Sequence, residues 1–420
     1  MGLDMTMNRL PAPTWNWLHV NEASLAGVYA PDQGHLEAET PETIQYHKYD
    51  TVGVGNNAVK DVAAKLVRIP GGAGSDMEEL RKQGDFDFHI WEIGPGVKES
   101  EPVRLHFRYE NNAAVQNIIG VHAQEDSEIT VIMDFCGAKK ADEEKICSGQ
   151  AKMSMVSEAE DFDQAGQYAR MAELNTAEAE QMDSSTVQTG KTTDFDRTIG
   201  GSLAAVQTRI LAEKGAKVTL VQIQHLEDGF TFINDVGASL AEGARMESIQ
   251  IVLGGGDTYM GLRTDLGAKS AALESKIGYL LDHDQKLDVN YLAYQTGAKT
   301  TSHMDVSGVL RGASQKLFRG TIDFRKGSEG AKGDEKEDVL LFSDDVVNRT
   351  VPLILCEEED VEGNHGATIG RLDESLLFYL SSRGIEEKEV YEMMARARID
   401  AICGGISDEK TRELVREFLG

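Results

Sequence analysis

The sequence predicts a mainly β protein whose centre is a solenoid of stacked coils, followed by a helical C-terminus. Three observations carry this prediction. Over 102–345 short runs alternate apolar and polar residues, as in Leu287-Asp-Val-Asn-Tyr291 and Ile249-Gln-Ile-Val-Leu253, the period-two pattern of strands with one buried face. Gly-Ala pairs recur through the same region at Gly215, Gly237, Gly243, Gly267, Gly297, Gly312 and Gly330, and such recurrence marks a repeated structural unit. Glycine takes the positive φ of a tight corner, and alanine fits where coils stack closely. Composition agrees, since 42 glycines and only 6% aromatic residues suit a turn-rich chain better than a bundle packed on large rings. Pattern alone leaves unrelated hairpin turns in a β-sandwich as the alternative.

Residues 1–100 read as a mixed, partly helical lead-in. Trp15 and Trp17 follow Pro11 and Pro13, and 57–66 carries helical spacing through Val59, Val62, Ala63 and Leu66. Residues 101–350 form the solenoid core, interrupted by an acidic insertion over 139–196. The insertion holds thirteen acidic against six basic residues, −7 of the chain's net −29. Within it, 165–182 is rich in helix formers and 184–193 reads as loop, with disorder an equal alternative for the whole. Residues 351–420 form a helical unit. Asp373 is placed to cap a helix with Leu376, Leu377 and Leu380 on one face, and Gly384 to stop it. A second helix is predicted over 386–401, with a stripe of Val390, Met393, Met394 and Ala397. A third is predicted over 408–419, with Leu414, Val415 and Phe418.

Charge and cysteine usage narrow the function. Lysine and arginine total 42 against 71 aspartates and glutamates, and so negative a surface repels phosphate backbones, which argues against a nucleic-acid partner. The longest apolar stretches, such as 351–356, fall far short of the roughly 20 residues of a membrane-spanning helix, so no membrane role is expected. Cys136, Cys147, Cys356 and Cys403 form no C-x-x-C pair and read as reduced thiols. With no basic-then-apolar leader pattern at the start, a cytoplasmic location is expected.

Several catalytic motifs fail on inspection. Gly190-Lys-Thr192 resembles the end of a P-loop, but Ser185 occupies the position of the required first glycine. Gly254-Gly-Gly256 does not continue as G-x-G-x-x-G into a helix, and a solenoid corner explains it better. There is no G-x-S-x-G and no H-E-x-x-H. The segment around His365 differs in kind: Glu357, Glu358, Glu359 and Asp360 stand just upstream of Asn364-His-Gly366. An imidazole beside carboxylates suits iron or zinc; the alternative is a histidine that ties down a turn.

The run Asn364-His-Gly-Ala-Thr-Ile-Gly370, with Leu372-Asp-Glu374 and Leu377-Phe-Tyr-Leu-Ser-Ser-Arg-Gly-Ile385, resembles the C-terminal signature of the SufB/SufD family of iron–sulfur cluster assembly proteins. The likeness extends through Lys316-Leu-Phe-Arg-Gly-Thr-Ile-Asp-Phe324, Glu337-Asp-Val-Leu-Leu341, Asp345-Val-Val-Asn348, Gly229-Phe-Thr-Phe-Ile-Asn-Asp235 and Leu253-Gly-Gly-Gly256 to the entry at 10–22. The acidic insertion lies outside it, and the histidine-bearing segment is more similar to SufD than to SufB. The resemblance implies a right-handed parallel β-helix flanked by helical domains, acting as a non-catalytic scaffold. It implies pairing with a SufB-like subunit, or with a second copy of this chain, through the β-helix. It also implies a SufC-like ATPase bound through the C-terminal helices, with ATP hydrolysis confined to that partner. His365 is then the candidate ligand for iron or a nascent cluster, held transiently rather than as a resident cofactor. Many SufD sequences carry a cysteine two residues before this histidine; here Gly363 stands there. Cys356 is the nearby thiol, although a buried strand cysteine is its simpler reading. A β-helix carbohydrate-active enzyme is the alternative from a different class, with no identifiable carboxylate pair to support it.

Overall fold

The computed structural model describes residues 2–50, 57–138 and 195–419. Most of the predicted acidic insertion, including Cys147 and the Gly190-Lys-Thr192 motif, lies outside the described residues.

Two sheets face each other across one core. The ten-stranded sheet runs Val347–Cys356, Gln315–Phe324, Lys286–Gln295, Asp257–Leu266, Phe230–Leu240, Ser202–Ala212, Ala114–Ala123, Asp87–Ile93 and Ile44–Asp50, with Asp32–Gln33 beside Ala114–Ala123. The nine-stranded sheet runs Val361–Gly370, Ala331–Leu341, Thr301–Leu310, Ala272–Leu281, Arg245–Val252, Lys217–His225, Glu128–Ala138, Val103–Glu110 and His35–Glu39. From Asp87–Ile93 onward the strands of these two sheets alternate between them along the chain, and each pairs in parallel with the strand one coil away. Lys217 is in register with Arg245, Arg245 with Ala272 and Ala272 with Thr301, which is the stacking of a parallel β-solenoid.

Strand alternation drives the packing. In Ala331–Leu341 every second residue is buried, so one face of each strand fills the space between the sheets. There Phe107 and Phe135 stack at 4.8 Å between ring centroids, and Phe232 from the opposite sheet lies 5.0 Å from Phe135. Each such ring contributes about 1.5–3 kcal/mol by leaving water. Gly215 and Gly243 occupy corners at φ +69° and +68°, where a side chain would be strained. Gly267 and Gly297 only precede corners, whose left-handed residues are Ser270 and Lys299. Gly237 is no corner at all: it sits within a strand, where a Cβ would meet the Pro70 carbonyl oxygen at 2.4 Å.

Both flanking units cover outer faces of the sheets. The lead-in is largely strands rather than helices. Leu3–Met7 pairs antiparallel with Ala23–Val28, and Arg197–Thr198 joins them. The predicted helix forms as Asn57–Val67, and a short one follows at Asp76–Arg81. Met5, Met7, Leu25, Met77 and Leu80 pack on Leu203, Ala205, Ile233 and Leu317 of the ten-stranded sheet. Two buried ion pairs pin this unit down. Arg319 Nη1 lies 2.5 Å from Asp288 Oδ1, and Asp288 also receives Asn8 Nδ2; Arg209 meets Asp235, which accepts from the Ala73 amide.

The solenoid extends beyond 101–350 at both ends. His35–Glu39, Ile44–Asp50 and Asp87–Ile93 already belong to the sheets, and Val347–Cys356 and Val361–Gly370 continue them, so the helical end starts only at Glu374. Asp373 caps the helix Glu374–Ser382 by accepting from the amides of Ser375 and Leu376, and Gly384 takes φ +84°. The next helix, Glu387–Cys403, buries Val390, Ala395, Ile399, Ile402 and Cys403 and leaves Met393 and Ala397 exposed, so its true stripe is rotated from the predicted one. Its seat is Gly278, whose missing Cβ leaves room for Ile399 and Ile402. The last helix, Glu409–Leu419, buries Val415 and Leu419. Both long helices lie on the outer face of the nine-stranded sheet. No described helix is long and apolar enough to cross a membrane.

Candidate metal centre at the open end of the solenoid

His365 lies in the middle of the final strand, Val361–Gly370, not in a turn. That strand pairs with Ala331–Leu341 on one side, and no described strand pairs with its other edge. Parallel register sets His365 beside Glu335, with His365 Nδ1 3.1 Å from Glu335 Oε1. The side chain of Glu335 is 1% exposed and that of His365 26%, so the pair forms a buried acid beneath a partly accessible imidazole.

The surroundings of Glu335 explain its state. Gly320, in the opposing sheet, makes room for it, because a Cβ there would meet Glu335 Oε2 at 2.0 Å. One alternation step further along the same strand, Glu337 is paired with Lys316, and Thr350 Oγ1 donates to Glu337 at 2.7 Å while accepting from Lys316 at 3.0 Å. Burial and the neighbouring Glu337 charge push the Glu335 carboxyl up to about 8, against the opposing pull of Lys316. Burial pushes Lys316 down despite its pairing with Glu337. Glu335 Oε1 makes no hydrogen bond of good geometry among the described residues, a deficit that a proton or a cation bound on the imidazole would relieve. An ionised Glu335 accepting from Nδ1–H leaves Nε2 free to bind a metal, the carboxylate–histidine arrangement of many metal sites.

Of the four carboxylates upstream of His365, two serve the corner instead. Glu357 pairs with Arg325 at 2.8 Å, and Glu358 accepts from the amides of Gly327 and Glu359, each at 3.0 Å. Cys356 is exposed rather than buried, and its Sγ donates to the Glu358 carbonyl at 3.0 Å. It ends the edge strand of the other sheet. Gly363 points to the same side of its strand as His365, and a Cβ there would meet Ile354 at 3.0 Å and Phe324 at 3.1 Å, so a cysteine would fit only if those side chains shifted. The structure therefore brings to His365 a carboxylate that local reasoning missed. Its only signal in the sequence was its place one coil earlier, two residues before the family-like stretch Glu337-Asp-Val-Leu-Leu341.

The motif Lys316-Leu-Phe-Arg-Gly-Thr-Ile-Asp-Phe324 also acquires a physical basis. Lys316 and Arg319 are buried cations, each paired with a buried carboxylate, and Gly320 houses Glu335.

Comparison with known proteins bears on what such an arrangement serves. Residues 157–398, more than half of the chain, match the family model described as "SUF system FeS cluster assembly, SufBD core domain". An iron-sulfur cluster assembly SufBD family protein of Mycobacterium tuberculosis is 29% identical over 217 residues, 51% of this chain and 25% of the relative. The iron-sulfur cluster assembly protein SufD of Bacillus subtilis is 24% identical over 188 residues, 44% of this chain and 43% of the relative. A chloroplastic SufBD family protein of Arabidopsis thaliana is 22% identical over 223 residues, 51% of this chain and 39% of the relative. These alignments span less than half the length of each relative. With the match to the core model over more than half of its length, on a parallel β-solenoid, the chain belongs to the SufBD family of SUF-system iron–sulfur cluster assembly proteins.

Proposed function

We propose that the chain is a SufD-like scaffold subunit of a cytoplasmic iron–sulfur cluster assembly complex, and that His365, backed by Glu335, holds iron or a nascent cluster as cargo at a subunit interface. The observation that carries this reading is the contact between His365 and the buried Glu335 on an unpaired edge strand. An edge strand offers free backbone donors and acceptors to another chain, so a partner strand added there would cover the imidazole and complete its ligand set. The partner is a SufB-like subunit; a second copy of this chain is the competing reading, and the same edge would serve it.

ATP hydrolysis belongs to a SufC-like partner. The helix Glu374–Ser382 supports docking near it, since it buries no residue and exposes Leu376, Phe378 and Tyr379, an apolar surface of the kind that protein interfaces cover. The chain itself acts by position: Glu335 orients the imidazole, and the closed interface excludes water from the cargo.

Co-purification with SufB-like and SufC-like subunits under anaerobic conditions tests the proposal. His365→Ala is expected to leave assembly intact and to lower iron or cluster content at least several-fold. Unchanged iron in an intact His365→Ala complex would refute the ligand role, and failure to bind either subunit would refute the scaffold role. Solution mass of the chain alone and with each partner separates the heteromeric from the homodimeric form.

A further inference from the structure

At the opposite end of the nine-stranded sheet from His365, three neighbouring strands bring a second set of metal-binding groups together. Parallel register places His106 beside Asp134 and His225 beside Cys136. Asp134 and Cys136 are two residues apart in Glu128–Ala138 and so share a face. The ligand atoms of Asp134, Cys136 and His225 all lie within 4.8 Å of one another. His225 Nε2 is 2.6 Å from Asp134 Oδ1, and His106 Nδ1 is 3.4 Å from Asp134 Oδ2.

We infer that Asp134, Cys136 and His225 form a binding site for a thiophilic divalent cation of the zinc type, distinct from the cargo site at His365. Thiolate, imidazole and carboxylate are the ligand types zinc prefers, at bond lengths of about 2.0–2.3 Å. Tetrahedral bonds of that length put ligand atoms roughly 3.3–3.8 Å apart, so rotamer adjustments of about an ångström close the set. The site is preorganised. Asp134 and Cys136 are 7% and 4% exposed, and both are fixed in a paired strand. His106 remains outside the ligand set and orients the carboxylate through its second oxygen, as outer partners of metal sites do.

The site also has an approach. A cavity of about 360 Å³ between this sheet face and the helix Glu409–Leu419, lined by Arg104, His106, Asp134, Lys410, Glu413 and Glu417, opens onto Asp134. On binding, the cation takes His225 Nε2, whose proton moves to Nδ1 of the same ring, and displaces the thiol proton of Cys136, which passes to solvent. Phe418 lies on the His225 ring at 4.2 Å, so a bound cation would stiffen the seat of the last helix.

The test uses the full-length chain, stripped of metal and titrated with Zn²⁺, with Co²⁺ as spectroscopic probe. One equivalent of Zn²⁺ per chain is expected, with a thiolate-to-cobalt charge-transfer band for Co²⁺. Cys136→Ser should lose the band and His225→Ala the tight equivalent, while Cys356→Ser and His365→Ala keep both. Circular dichroism checks that the variants fold. Independently of any variant, Zn²⁺ should slow alkylation of Cys136 in the wild-type chain at least ten-fold, read by peptide mass mapping. Substoichiometric zinc with unprotected Cys136, or a charge-transfer band that survives Cys136→Ser, would overturn the inference.

Discussion

At its N-terminal end the ten-stranded sheet stops on Ile44–Asp50 and the nine-stranded sheet on His35–Glu39, both laid antiparallel to the strands they cover. At its C-terminal end the two sheets stop on Val347–Cys356 and Val361–Gly370, which continue the parallel stacking with no described strand beyond them. The first pair of edges is short, at seven and five residues, and carries charge: Lys48 is paired with Asp87, and Glu39 and Glu37 lie against Arg104 and Arg108. The second pair is ten residues each, largely apolar or glycine-rich, and exposes Ile354 and Ile369. Short edges rich in charge resist pairing with another chain, whereas long ones with few charges, here Arg349 and Glu362, invite it. The same fold thus ends in a guarded face and a receptive face, and His365 is on the receptive one.

The largest expected effect comes from loosening the buried ion pairs that hold the N-terminal unit on its sheet. Asp288→Ala leaves Arg319 fully buried without its carboxylate, and chemical denaturation should show a loss of about 3–5 kcal/mol. Gly320→Ala comes next, because the added methyl collides with Glu335; a loss of about 1–3 kcal/mol is expected, together with weaker iron retention in the complex. Ile354→Lys with Ile369→Lys should weaken partner association at least ten-fold in sedimentation, while changing monomer stability by no more than about 0.5 kcal/mol per site. Lys48→Ala, on the guarded edge, is the smallest change: about 0.5 kcal/mol or less, with no effect on association.

A pH dependence separates the two ends further. The folded state raises the Glu335 carboxyl from 4.5 to about 8. Its neutral form is therefore favoured on folding, and the stability it contributes is fully present below the unfolded value and lost as pH rises through the folded one. Stability of the isolated chain should fall across pH 4.5 to 8 by an amount that Glu335→Gln removes. A slope unchanged by that substitution would contradict the burial argument.

How much of this was legible in the sequence follows from the range of the interactions. The Asp373 cap, the Gly384 stop and the corners at Gly215 and Gly243 rest on local backbone geometry, and each formed where the sequence pattern put it. Gly237 misled because a glycine that admits a neighbouring carbonyl looks the same as one that turns a corner. The stripe of Glu387–Cys403 was rotated because Met393 and Ala397 are apolar enough to mimic a buried face, and only the seat at Gly278 decides which face docks. At the candidate site His365 stood out, but its partner did not. Sequence proximity favoured Glu357, Glu358, Glu359 and Asp360, whereas parallel stacking brings in Glu335 from one coil away. Cys356 was misjudged for a related reason: a strand cysteine is buried only if its strand is covered, and this strand is an edge.

The central claim is that the receptive end holds iron through His365. Its most direct test is the iron content of anaerobically assembled complexes made with the wild-type chain or with His365→Ala, at equal subunit stoichiometry. The account predicts a several-fold drop in iron with the complex otherwise intact; equal iron in the two complexes would contradict it.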